Sequence, residues 1–180
     1  MHYIYKFIVA CLVFGAYIGI GFYQLSTIEE DINGKTGNIW VQLQSGFEKL
    51  QAVETQLKAA YKDRKDITEM ITNARKDYAA ASENLNLDNA LTSATKAVQG
   101  LRIIVENYPS TELSTMQVGV LDETAGIFNR LAYARQQLIN SQVSFNQTRI
   151  LFYPIHQLFA RKEVLGEKEN PAAGGPKSSF

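Results

Sequence analysis

The sequence predicts an all-α protein with a single N-terminal transmembrane helix and then an antiparallel bundle of three to four long helices. Three observations predict it. An apolar run without charge, Phe7–Leu25, lies near the start of the chain. Beyond it, apolar residues recur at spacings of three, four and seven, the stripe of a helix rather than the alternation of a strand. Of the four prolines, Pro109, Pro154, Pro171 and Pro176, none precedes residue 109, so no proline interrupts the early helical pattern.

The 180 residues suit one domain with appended segments. The pattern divides them into a membrane anchor (1–26), a helical bundle (27–160) and a flexible tail (161–180). Eighteen basic and 18 acidic residues cancel, so the chain has no electrostatic footprint for nucleic acid. One cysteine, Cys11, excludes an intrachain disulfide. The only histidines are His2 and His156, and no His/Cys cluster has ligand spacing. No metal or cofactor is implied.

Phe7–Leu25, "FIVACLVFGAYIGIGFYQL", spans 19 residues. At about 1.5 Å per residue it reaches across the roughly 30 Å hydrocarbon core of a bilayer. Tyr3, Tyr5, Phe22 and Tyr23 suit the two interfaces. A cleaved signal peptide is the rival reading, but the run is long and lacks a small-x-small cleavage site. Ile8–Cys11 resembles a lipobox, yet only four apolar residues precede Cys11 and the apolar stretch continues past it. Lys6 lies on one side and Glu29, Glu30 and Asp31 on the other. The positive-inside rule then places the N-terminus in the cytoplasm and the bundle outside. Cys11, Gly15 and Gly19 share one face, and the Gly15-x-x-x-Gly19 spacing permits close helix–helix approach in lipid.

The next stripe is Ile28, Ile32, Ile39, Leu43, Phe47, Leu50, Val53, Leu57 and Tyr61, continued by Ile67, Met70, Ile71, Ala74 and Tyr78. Residues 27–81 form one helix or two, and "QSGFEK" around Gly46 is the best candidate for a turn. "ASENLNLDN" (81–89) breaks the pattern, with Asn86 or Asp88 capping a third segment from about Asp88 to Asn107. Its apolar face is Ala90, Leu91, Ala94, Val98, Leu101 and Val105. Tyr108-Pro109 ends it, and Ser110 or Thr111 caps the next. The last helix runs from Thr115 to Phe152. Its near-heptad seam is Val118, Leu121, Ala125, Phe128, Leu131, Leu138, Phe145 and Phe152. Tyr153-Pro154 breaks it, and a short turn continues to Phe159. The glycine- and proline-rich end is expected to be disordered, with Phe180 its only aromatic.

The stretch Val105–Pro154 resembles the LemA family. The matching elements are Glu106, Tyr108, Pro109, the "NRLAYAR" core at Asn129–Arg135, then Asn140, Asn146, Tyr153 and Pro154. "VQLQ" at Val41–Gln44, "VET" at Val53–Thr55 and "ITNARK" at Ile71–Lys76 resemble family segments in the same order. Two features depart from the family pattern. "EKLQAV" replaces the proline-containing step between the first two helices, and Trp40 stands directly before Val41. The position of the first turn is therefore open. The resemblance implies a membrane-anchored helical bundle of a family without an agreed biochemical activity, some of whose members organise specialised bacterial membranes.

No nucleophile–base pair, phosphate loop or metal set meets the requirements of catalysis, so an enzyme is not expected. Glu106, Glu112, Asp122 and Glu123 are explained as caps and solvated faces, and His156 as structural. What asks for explanation is the polar set along the last helix: Asn129, Arg130, Arg135, Gln142, Asn146 and Arg149. Arg135, Gln142 and Arg149 fall seven apart beside the apolar seam. They are a register-setting ladder inside the bundle, a surface for a partner, or stems that cover the seam while their heads reach water.

Two functional classes follow. The first is a non-enzymatic scaffold of the bacterial envelope, held in the lipid bilayer, self-associating as a homo-oligomer and possibly binding other envelope membrane proteins. The second is an extracytoplasmic ligand- or partner-binding, sensor-like bundle. With six residues before the apolar run, that bundle would need another membrane protein to carry a signal inward. A small-molecule pocket inside the bundle is a third, weaker option.

Overall fold

The computed structural model describes residues 2–60, 65–107 and 115–166. Four α-helices follow in chain order: α1 His2–Ala60, α2 Lys65–Glu83, α3 Leu87–Asn107 and α4 Thr115–Leu151. A 3-10 helix, Tyr153–Leu158, closes the order, and no strand occurs among the described residues. The all-α expectation is met. The chain divides into two compact units, Met1–Thr36 with Gln136–Phe180, and Gly37–Arg135. Helices α1 and α4 contribute to both.

The second unit is built from parts of α1 and α4 together with α2 and α3. Its core takes Leu43, Phe47, Leu50 and Val53 from α1, Ile71 and Ala74 from α2, Ala94 and Leu101 from α3, and Phe128 and Leu131 from α4. These are the stripe positions of the sequence, so period 3.6 hydrophobicity became buried surface. Phe47 stacks on Tyr78 at 4.1 Å between ring centres and meets Phe128 edge-on at 5.4 Å.

The turn expected at Gly46 is not there: α1 runs through it without a break. Gly46 serves packing instead. A Cβ built at this position would lie 2.9 Å from Phe128 Cε1 and 3.2 Å from Ile127 Cγ2. The missing side chain lets Phe128 close on the α1 backbone, and burial of that ring outweighs the roughly 1 kcal/mol that glycine costs a helix. The interval 27–81 is thus two helices, and the link between them, 61–64, lies outside the described residues. So do Tyr108-Pro109 and the caps expected at Ser110 or Thr111.

The break at 81–89 is where the sequence placed it. Asn86 N–H donates to Ala81 O at 2.8 Å and Leu85 N–H to Ser82 O at 3.2 Å, the paired bonds of a Schellman end. Leu85 takes the left-handed position (φ 51°) usually given to glycine. Of the two proposed caps, Asn86 is the one used, its Oδ1 accepting Asn89 N–H at 3.0 Å. α2 and α3 therefore form an antiparallel hairpin.

The first unit pairs the early part of α1 with the later part of α4, antiparallel, since Tyr17 meets Leu151 while Asp31 and Lys35 meet Ser141. Leu25 and Ile32 of α1 and Leu138 and Phe145 of α4 are all buried in this unit. Residues 161–166, grouped with the tail in the sequence reading, lie against α4, with Val164 buried. The rest of the tail, Phe180 included, lies outside the described residues.

If Gly46 is a contact rather than a turn, two glycines of the same helix should respond oppositely. Gly37 has no atom within 4 Å of a built Cβ. Gly37→Ala should raise stability by about 1 kcal/mol, and Gly46→Leu should lower it by about 1–3 kcal/mol through overpacking. Chemical denaturation of the two variants would measure both signs, and equal gains would show that Phe128 does not close on Gly46.

Candidate functional site at the α4 polar stripe

Gln142, Asn146 and Arg149 are spaced by four and three, so one face of α4 carries all three. Pro154 prevents α4 from continuing, and the chain turns back along the helix that it has just left. The three polar side chains meet its backbone. Arg149 Nε donates to Phe159 O at 2.6 Å and to His156 O at 3.0 Å. Asn146 Nδ2 donates to Lys162 O at 2.8 Å, while its Oδ1 accepts Lys162 N–H at 3.0 Å. Gln142 Oε1 accepts Leu165 N–H at 3.1 Å. An irregular segment has no ladder of its own, and here side-chain amides and a guanidinium supply one.

The clamp continues into charge. Lys162 Nζ forms an ion pair with Glu29 on α1 and sits 5.6 Å from the centre of the Phe145 ring. One turn before Phe145 on α4, Ser141 is buried and donates to Asp31 Oδ2 at 2.8 Å. Lys35 Nζ joins the pair, donating to Asp31 at 2.6 Å and to Ser141 Oγ at 2.7 Å. The hydrogen bond from Lys35, then that from Ser141, hold the Asp31 carboxyl below its ordinary range.

The sequence-predicted residues separate by environment. Gln142 is buried, Asn146 and Arg149 are half-buried, and these three act together on the returning chain. Asn129 and Arg130 are exposed in the other unit, and Arg135 is half-buried there, its Nε without a hydrogen-bond partner among the described residues. On α1, Cys11, Gly15 and Gly19 are exposed, and a Cβ built at Gly15 or Gly19 would meet nothing within 4 Å.

Sequence reasoning missed two features. Glu54 is buried, with Thr72 Oγ1 donating to its Oε1 at 2.6 Å and Arg75 Nη1 to its Oε2 at 2.6 Å. The signal was an acid on the apolar face, four after Leu50 and three before Leu57. It ties α1 to α2, and the neighbouring cleft of about 520 Å³ is lined by Gln44, Phe47, Glu48, Arg75 and Tyr78. Burial pushes the Tyr78 phenol up. The second is Tyr17, whose hydroxyl donates to Leu151 O at 2.7 Å, a carbonyl of the last turn of α4. Among the described residues no group of three or more His, Cys, Asp or Glu is placed to hold a metal ion.

Two expectations follow from the clamp. Asn146→Ala leaves the Lys162 N–H and C=O without their partner and should cost about 1–3 kcal/mol, with faster hydrogen exchange at the Lys162 amide. An unchanged exchange rate would remove the clamp. Asp31 titrates lower in the folded chain than in the unfolded one, so its contribution is present above the ordinary carboxylate range and is lost as pH falls through it. Asp31→Asn should lower stability at neutral pH, leave it little changed in acid, and so flatten the acid side of a stability–pH profile.

The family comparison agrees with the geometry. The model of the LemA family matches residues 35–170, most of the chain, beginning past the apolar stretch of α1 and ending past the clamped segment. No curated protein matches the chain.

Proposed function

This chain belongs to the LemA family, and we propose that it is a membrane-anchored scaffold of the bacterial envelope that assembles with itself. The observation that carries this reading is the early part of α1. It is long and apolar enough to cross a membrane. Its large apolar side chains, from Phe7 and Ile8 through Leu12, Val13 and Phe14, face outward rather than into a core. Soluble chains do not leave such a surface in water, because each large apolar side chain moved into hydrocarbon stabilises by about 1.5–3 kcal/mol.

Self-association draws on the same helix. Among the described residues nothing lies within 4 Å of a Cβ built at Gly15 or Gly19, which suits approach of a second backbone in lipid. With the N-terminus on the cytoplasmic side, the bundle is extracytoplasmic, as the charge asymmetry about the apolar run suggests.

Light scattering of the full-length protein after chromatography in mild detergent tests assembly. A discrete oligomer is expected, and Gly15→Leu with Gly19→Leu should reduce its mass while leaving the helical signal unchanged. A monomer in both samples would end the self-assembly reading. The cleft beside the Phe47–Tyr78 stack would then make a sensor-like, ligand- or partner-binding bundle the better description.

A further inference from the structure

The returning segment after α4 is apolar on its outer side as well as its inner one. Leu151, Tyr153 and Leu158 are 73%, 74% and 71% exposed, and Ile150 beside them is 65% exposed. The inner side is fastened to α1. Phe152 packs on Tyr17 with ring centres 5.1 Å apart, and Phe159 packs on Phe22 at 5.5 Å. Gly21 makes this possible, since a Cβ there would lie 2.6 Å from Phe152 Cγ and 2.9 Å from Ile155 Cδ1. The segment therefore lies beside residues 17–22, which on the anchor reading belong to the apolar span.

Resting on that reading, we propose that Ile150, Leu151, Tyr153 and Leu158, with Phe22 and Tyr23, form a collar embedded in the lipid bilayer at the bundle-side interface. The occupant of this surface is phospholipid, because the patch is continuous with the apolar face of the span. Tyrosines at its edge suit the headgroup level.

The backbone supports the same conclusion independently. Irregular chain enters a bilayer only when its polar groups are satisfied from within the protein. Here five carbonyls of the segment, those of Leu151, Phe152, Tyr153, His156 and Phe159, have such partners. The Leu151 carbonyl accepts from the Tyr17 hydroxyl, and that of Phe152 accepts Ile155 N–H at 3.0 Å. The Nδ1 edge of His156 sits on the Tyr153 carbonyl, and Arg149 Nε serves the carbonyls of His156 and Phe159. Arg149 is the charged neighbour of the collar and directs its Nε to those carbonyls, while the Glu29–Lys162 pair, followed by Asp31 and Lys35, lies beyond it. A surface loop would leave such carbonyls to water.

Collisional accessibility of a nitroxide label in the full-length protein tests the collar. The protein is reconstituted in phosphatidylcholine–phosphatidylglycerol vesicles, and Cys11→Ser removes the native thiol. Leu151→Cys and Leu158→Cys report on the collar, Phe14→Cys on the span, and Asn33→Cys on the exposed polar side of α1. Labels at 151 and 158 should resemble the label at 14, with an oxygen-to-nickel-chelate accessibility ratio several-fold above that at 33. A ratio equal to that at 33, with 14 still lipid-like, overturns the collar and leaves the anchor standing. Low accessibility to both reagents means that protein, such as a second copy, covers the patch, and also overturns it. Nickel access at 14 would overturn the anchor and the collar together.

Discussion

The first unit depends on how the end of α4 is resolved. A helix that stops at a proline leaves its last carbonyls unpaired, and the irregular chain after it has unpaired groups of its own. In this protein the remedy is local and polar. Tyr17 reaches Leu151 from α1, and Arg149, Asn146 and Gln142 reach back over the returning chain. With those groups satisfied, the segment can lie against α1 without water, and Phe152, Ile155 and Phe159 can be packed there. The polar stripe and the apolar packing are thus one device. The amides set the path of the backbone, and the path decides which aromatic faces inward.

The second unit relies on a different device. Its buried acid is held by Thr72 and Arg75, so α1 and α2 meet through a charged pair rather than through apolar contact alone. A buried ion pair adds little net stability but punishes any misplacement of its partners. Glu54 thus constrains the register of α2 against α1, while the Phe47, Tyr78 and Phe128 cluster contributes the burial. Glycine fits into the same scheme. Gly46 and Gly100 admit neighbouring side chains to the helix backbone, whereas a Cβ built at Gly37 would meet no described atom beyond its own helix backbone within 4 Å.

For function, the proposed scaffold needs little chemistry and much surface. An apolar helix with an uncovered small-residue face, a charged layer at Glu29 and Lys162, and exposed apolar side chains around Leu158 are all interaction features. They suit a protein whose partners are lipid and other helices.

The sequence by itself determined the all-α class, the apolar stripes, the break at 81–89, the end of α4 at Pro154 and the family. Each is a local or periodic property: apolar spacing near 3.6, asparagine at a cap, proline without an N–H. Tertiary structure alone decided what Gly46 is for, because glycine in a turn and glycine under an aromatic ring look the same in one dimension. It also decided which polar residues of the α4 stripe act together. Seven-residue spacing put Arg135 with Gln142 and Arg149, but a hydrogen bond needs a partner atom within about 3 Å. The returning chain brings such atoms to 142, 146 and 149, from residues that sequence spacing alone could not pair with them.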